Sequence, residues 1–161
     1  MHGQIVSLGI TKNQVQELLS YTKSDPQIRK FTHDAKRFKS LESFEKWVLG
    51  KYIYTLSDKN GKLLGVAWFA FKANPQAIEF PFTFAIRIYP PARGQGYSEK
   101  LMRAAFEKFM KSDKYLESQQ KGFWLVTRRD NKFAIKLYEK FGFITKITTE
   151  DNHLLMTFSP S

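Results

Sequence analysis

Pro90-Pro91-Ala92-Arg93-Gly94-Gln95-Gly96-Tyr97-Ser98 is the stretch on which the reading of this chain turns. It follows a strand-like run, Phe80 to Tyr89, broken early by Pro81, and it opens a helix-like one from Ser98. Glycines let a backbone turn tightly and approach a ligand closely. The first turn of a helix presents unpaired N–H groups and a partial positive charge. Together these features predict an anion site suited to a pyrophosphate, with Arg93 as a permanent charge at its rim. Two other phosphate loops do not fit. A Walker loop requires Gly-Lys-Ser/Thr after a longer spacer, and a dinucleotide loop requires a third glycine after the first strand.

Downstream, the apolar period is helical. Leu101, Met102, Ala105, Phe106, Phe109 and Met110 share one face, and Glu99–Arg103 and Glu107–Lys111 form i,i+4 pairs on the other. Phe123 to Thr127 reads as a short buried strand. Asn131 to Phe141 is helical again, with Phe133, Ala134, Leu137, Tyr138 and Phe141 inward and Gly142 closing it. Phe143 to Thr148 and His153 to Phe158 form a last pair of strands.

Upstream, Ile5 to Leu8 is a short strand, and Thr11 with Gln14 makes a capping box for a helix ended by Asp25-Pro26. Ser40 caps a second helix carrying Leu41, Phe44, Trp47 and Val48. Tyr52 to Ser57 and Leu63 to Phe71 are strands joined at Asn60-Gly61, read as a two-residue hairpin turn. Leu63 to Phe71 is apolar enough to be buried on both faces. The order, strand, two helices, three strands, helix, strand, helix, two strands, predicts a mixed α/β fold around one sheet.

The loop resembles the acyl-CoA loop of the GNAT superfamily, whose pattern is Arg/Gln-x-x-Gly-x-Gly/Ala. Here it reads Arg93-x-x-Gly96-x-Ser98, with Ile88-Tyr89-Pro90 ahead of it; Ser98 departs from the small-residue position. A second segment resembles the late helix of the same superfamily: Asn131-x-x-Ala134-x-x-x-Tyr138-Glu139-Lys140-Phe141-Gly142-Phe143. The resemblance implies a GNAT-like α+β fold. Its mixed central sheet would have about seven strands, with splayed middle strands and about four flanking helices. It implies one N-acyltransferase domain over 1–161, acetyl-CoA as acyl donor, no metal, and a primary amine acceptor.

The resemblance also implies roles. The strands Phe82–Tyr89 and Phe123–Arg128 would part, and backbone groups of Ile86, Arg87 and Ile88 would hold the pantetheine arm and polarise the thioester. Arg93, Gly94, Gln95, Gly96, Tyr97, Ser98 and Asn131 would bind the rest of the donor; Asn131 would contact it or cap its helix, and the two roles are compatible. Tyr138 would be the general acid toward the leaving thiolate, since phenol and thiol pKa values lie within about two units; on its apolar face it also reads as a core tyrosine. The glutamate some members carry five residues before the asparagine is absent, because that position is Val126. Glu79 is the best remaining carboxylate for a base, acting through water; it also reads as a loop-surface residue, with solvent or a backbone carbonyl as base. Arg87 either anchors an acidic group of the substrate or pairs with a carboxylate. Pro26 to Lys39 and Thr145 to His153 would wall the acceptor. His33 and His153 read as structural or surface residues, and His2 as part of a disordered end.

Composition sets the bounds. The chain has 161 residues, 42% hydrophobic and 16% aromatic, enough for one substantial core. It has no Cys, which excludes a thiol nucleophile, thiolate metal ligands and a disulfide framework. No apolar run is long enough to span a bilayer, and the first residues lack the pattern of a signal peptide. The expectation is a cytoplasmic monomer or homodimer with no membrane partner. The net charge of +11 favours anionic partners. A nucleic-acid module is therefore the alternative, with Trp68, Phe69, Phe71, Phe80, Phe82 and Phe84 as stacking candidates. No recognition motif accompanies them, and apolar strands predict a core role. A third reading keeps the fold as a non-catalytic CoA sensor. The acceptor's identity is not written in these motifs.

Overall fold

The computed structural model describes residues 3–160, so His2 lies outside the described residues. Its seven strands form a sheet in the order β1-β2-β3-β4-β5-β7-β6. They are β1 (Ile5–Leu8), β2 (Lys51–Ser57), β3 (Leu63–Phe71), β4 (Phe82–Ile88), β5 (Phe123–Arg128), β6 (Ile144–Thr148) and β7 (His153–Phe158). β1–β2, β5–β7 and β6–β7 are antiparallel, while β4 and β5 are parallel. The β4–β5 ladder comprises Phe82–Phe123 and Thr83–Trp124, the first two positions of each strand. The parallel pairing of these strands is thus confined to their first residues, which is the splay the resemblance implied.

The long helices are those their caps and stripes predict. α1 (Lys12–Ser24) starts at the Thr11–Gln14 capping box, where Thr11 N donates to Gln14 Oε1 at 3.0 Å and Gln14 N to Thr11 Oγ1 at 3.2 Å. Four further α-helices lie ahead of the last three strands: α2 (Pro26–Phe31), α3 (Asp34–Arg37), α4 (Leu41–Trp47) and α5 (Tyr97–Phe109). α6 (Asp113–Glu117) and α7 (Lys132–Phe141) complete the set. Seven α-helices among the described residues, against about four expected, reflect α2, α3 and α6. These have six, four and five residues, too short to print a helical period in the sequence.

The chain packs as two compact units, Met1–Trp68 with Ile86–Glu107, and Phe69–Ala85 with Lys108–Ser161. In the first, Phe38, Phe44, Trp47 and Trp68 pack edge-on or tilted, with Trp47 and Trp68 centroids 4.9 Å apart. In the second, Phe69 stacks on Phe109 at 4.2 Å, and Phe82, Tyr115 and Phe123 gather around them. Trp68, Phe69, Phe82 and Phe84 are thus core residues; Phe71 is exposed, with the Lys114 ammonium 4.4 Å from its ring centroid.

Three local expectations are corrected. Asn60-Gly61 is not a two-residue turn. Gly61 N donates to Asp58 O at 3.0 Å and Asp58 N to Lys62 O at 3.1 Å, with only Gly61 at positive φ (+84°). This is a type I turn followed by a left-handed glycine, the three-residue hairpin. The Asp58 carboxylate accepts from the amides of Asn60 and Lys62, which favours this turn. Phe80 lies outside β4, in a loop whose turns Asn74 and Ala77 close. Phe133 is 71% exposed rather than inward, whereas Tyr138 on the same helix is buried.

Candidate active site

In the first unit, β4 runs into the glycine loop. Tyr89 N donates to Leu64 O at 3.0 Å, and Arg87 O lies 2.9 Å from where a Cβ on Gly65 would sit. Backbone groups alternate sides along a strand. Arg87 and Tyr89 therefore turn theirs toward β3, and Ile86 and Ile88 turn theirs to the outward edge. Of the three residues expected to offer backbone groups, Ile86 and Ile88 face outward and Arg87 does not. Gly65 is required here, since any side chain would strike Arg87 O, Ile88 and Leu101.

Past β4, Pro90–Ala92 form one turn of 3-10 helix, with Arg93 N donating to Pro90 O at 3.3 Å. Gly94 and Gly96 take φ of +74° and +78°, which other residues adopt at a penalty. Gly94, Gln95 and Gly96 are exposed, while Tyr97 and Ser98 are buried. The Gln95 side chain returns to Pro91 O at 3.0 Å and staples the loop. α5 begins at Tyr97, so helix geometry leaves its first amides without intrahelical acceptors.

The arginines of this region are held by two carboxylates that sequence reading passed over. Asp25 ends α1, its N–H reaching Tyr21 O at 2.9 Å, and caps α2, its carboxylate accepting from Gln27 N at 3.1 Å. The same carboxylate pairs with both terminal nitrogens of Arg93, whose Nε donates to Ile88 O at 3.0 Å. Arg93 thus braces the loop rather than charging its rim. Asp34, fully buried, accepts from Arg87 Nε at 2.7 Å, Arg87 Nη2 at 3.1 Å and Arg37 Nη1 at 3.1 Å. Arg87 also lies over Trp68, 4.8 Å from the ring centroid, and donates to Ile86 O at 2.9 Å. Of the two alternatives for Arg87, the structure shows the carboxylate pair. Burial pushes the Asp34 carboxyl up, but the Arg87 and Arg37 charges and hydrogen bonds outweigh it and hold the group below the usual range. Tyr89 stacks on Tyr21 at 4.7 Å; burial raises its phenol, and its hydroxyl has no partner among the described residues. The Asp25-Pro26 pair signals a helix break; nothing local marks its partner or that of Asp34.

The second unit carries the other candidates. Asn131 caps α7, accepting from Ala134 N at 3.4 Å. Tyr138 is buried beside Phe143, with centroids 5.9 Å apart, and its carbonyl accepts from the amides of Gly142 and Phe143 at the helix end. Glu79 sits in the β3–β4 loop, half exposed, with Lys146 Nζ at 2.6 Å. Lys146 is the extra residue of a bulge between Thr145–Met156 and Ile147–Leu155, and bulges re-aim side chains. Its hydrogen bond holds the Glu79 carboxyl below the ordinary range. His33 is exposed and His153 bonds Asp151 at the surface, as expected.

Among the described residues there is no helix long and apolar enough to cross a membrane, and no cluster of three or more His, Asp or Glu arranged to hold a metal. A family model described as the acetyltransferase (GNAT) family matches residues 15–143. No curated protein matches the sequence. The fold is similar to a spermidine N-acetyltransferase from Vibrio cholerae solved with CoA and spermine, with TM-score 0.75 and 15% identity over 98% of this chain and 96% of that one. It is similar to a GCN5-related N-acetyltransferase from Kribbella flavida, with TM-score 0.71 and 14% identity over 97% of each chain. It is also similar to a ribosomal-protein-S5-alanine acetyltransferase from Vibrio fischeri, with TM-score 0.70 and 12% identity over 98% and 93%. At such identities the likeness is one of fold.

Proposed function

Because the chain belongs to the GNAT acetyltransferase family, we propose that it moves an acetyl group from acetyl-CoA to a primary amine by direct attack. The observation that carries this reading is the exposed, positive-φ glycine turn directly ahead of the thirteen-residue helix α5. Exposed glycines at positive φ followed by orphan helix amides suit a diphosphate. The outward N–H groups of Ile86 and Ile88, on a strand that leaves its parallel partner after Thr83, suit an extended amide-bearing arm and a thioester carbonyl. The residues present thus fit this donor. Gly94 to Ser98 would hold the diphosphate, and Ile86 and Ile88 the arm. Asn131 would contribute from the helix it caps.

The donor would supply an activated acetyl thioester. The amine nitrogen forms the new C–N bond as the C–S bond breaks. Tyr138 would give its phenolic proton to the departing sulfur, and Glu79 would take the amine's proton through water. Both roles rest on the sequence resemblance. Lys146 keeps Glu79 ionised but lowers its basicity, so this role is the more exacting one to test. Acceptors of the kinds named for similar folds, a polyamine or a protein N-terminus, belong in the same test as small amines and peptides. A cytoplasmic monomer or homodimer remains the expected setting.

The experiment is a thermal shift with acetyl-CoA, followed by free-thiol release across an amine panel. A donor that binds only the native state raises its stability. A shift with thiol release dependent on an amine supports the transferase; a shift without release from any amine points to a non-catalytic binder. No shift at saturating acetyl-CoA refutes the proposal. Stabilisation by oligonucleotides that salt removes would favour the nucleic-acid alternative instead.

A further inference from the structure

Both outward carbonyls at the end of β4 are already occupied. Arg87 Nη1 donates to Ile86 O, and Arg93 Nε donates to Ile88 O. Each guanidinium is fixed from its far side by a carboxylate that is almost wholly buried, Asp34 for Arg87 and Asp25 for Arg93. The two carboxylates come from one short stretch of chain, the joint before α2 and the start of α3. A planar guanidinium can hold a carboxylate and a carbonyl at once, whereas an ammonium is a point charge that cannot keep that fork.

We propose that Asp25–Arg93 and Asp34–Arg87 are a pair of positioning clamps that cap the acceptor groups of the β4 edge and leave that edge to select a ligand carbonyl. This rests on the acetyl-CoA reading above. With the carbonyls of Ile86 and Ile88 engaged, what these two residues turn outward is N–H. A docked molecule is rewarded more for an oxygen acceptor than for a donor, since one lone pair of each carbonyl is already taken. The acetyl carbonyl is the acceptor that distinguishes acetyl-CoA from CoA. The clamps also lock the Asp25–Arg37 stretch to the strand, so a looser clamp lets the N–H groups drift from their aim. Arg87 and Arg93 are then positioning residues, acting through the backbone of Ile86 and Ile88.

Calorimetric titration with CoA and with acetyl-CoA reads this directly. One added hydrogen bond to the carbonyl makes the wild type prefer acetyl-CoA by about threefold to tenfold. Arg87→Lys and Arg93→Lys keep the charge facing each aspartate but cannot serve both acceptors, and each is expected to bring the preference to within about twofold of unity. Affinity for CoA itself is expected to fall less than that for acetyl-CoA, because CoA shares the arm and diphosphate but lacks the acetyl carbonyl. A merely structural role would weaken both ligands by the same factor and leave the preference in place, and that result overturns the proposal. So does a preference that survives in both lysine variants, or a wild type that binds the two ligands equally. Asp34→Asn, which keeps the guanidinium but loosens its anchor, is expected to reduce the preference as well, and circular dichroism identifies any variant that has lost its fold. A wild type that binds neither ligand is a different failure, that of the acetyl-CoA reading itself.

Discussion

Asp34→Asn is the substitution with the largest stability effect to be worked from the structure. In the wild type the carboxylate is fully buried and takes three charged hydrogen bonds, at 2.7, 3.1 and 3.1 Å. The asparagine keeps one acceptor oxygen and turns an amide toward the guanidinium of Arg87, whose side chain is only 12% exposed. Removing one partner of a buried pair costs about 3–5 kcal/mol, because the other charge remains in a dry site. Arg87 retains Ile86 O and the face of Trp68, so the low end, about 3 kcal/mol, is expected. For a chain of this length that corresponds to a fall in Tm of roughly 6–12 °C. The pH dependence carries the sign. The folded carboxyl sits below its unfolded value near 3.9, so its stabilisation is complete above that value and is lost as pH falls through the folded pKa. Urea unfolding of both proteins at pH 7 and at pH 3 is the assay. The gap between them should be full at pH 7 and narrower at pH 3, which lies below the unfolded carboxyl's value, so that the unfolded chain takes up a proton the folded carboxylate resists. A gap under about 0.5 kcal/mol at pH 7, or one indifferent to pH, would refute the reasoning.

Gly65→Ala should destabilise by about 1–3 kcal/mol in urea unfolding, since its Cβ would sit 2.9 Å from the Arg87 carbonyl, a backbone atom that cannot swing aside. Tyr89→Phe should be neutral or raise stability by about 1 kcal/mol in the same assay, because it removes a buried hydroxyl without a partner; a clear loss would reveal a bond not accounted for. Tyr138→Phe should lower kcat by roughly 100-fold or more if the phenol protonates the leaving sulfur, and unchanged turnover across pH would exclude that role. Lys146→Ala frees Glu79 from the bond that depresses its pKa, so the acid limb of the kcat/KM profile should move to higher pH. A limb that stays in place removes Glu79 from the chemistry.

The legible parts of this protein are those made by neighbours in sequence. The capping box of α1, the amphipathic face of α5, the Asn131 cap and the glycine turn at 94–96 each depend on residues within a few positions of one another, and all are formed. The short helices α2, α3 and α6 were not legible, because a turn or so of helix leaves no periodic trace. Asn60 misled because its pairing with glycine is shared by two turn types, and the Asp58 carboxylate selects between them.

By itself, then, the sequence determined the order of the strands and of the helices long enough to show a period, the caps, the buried stripes and the loop, since these follow from local propensity and period. Only the tertiary structure decided which charges meet. Asp25 finds Arg93 across 68 positions, Glu79 finds Lys146 across 67 and Asp34 finds Arg87 across 53. A carboxylate carries no mark of its partner along the chain. Partners are chosen where packing brings two strands and a helical joint within bonding distance, and where burial makes an unpaired charge too costly to leave alone.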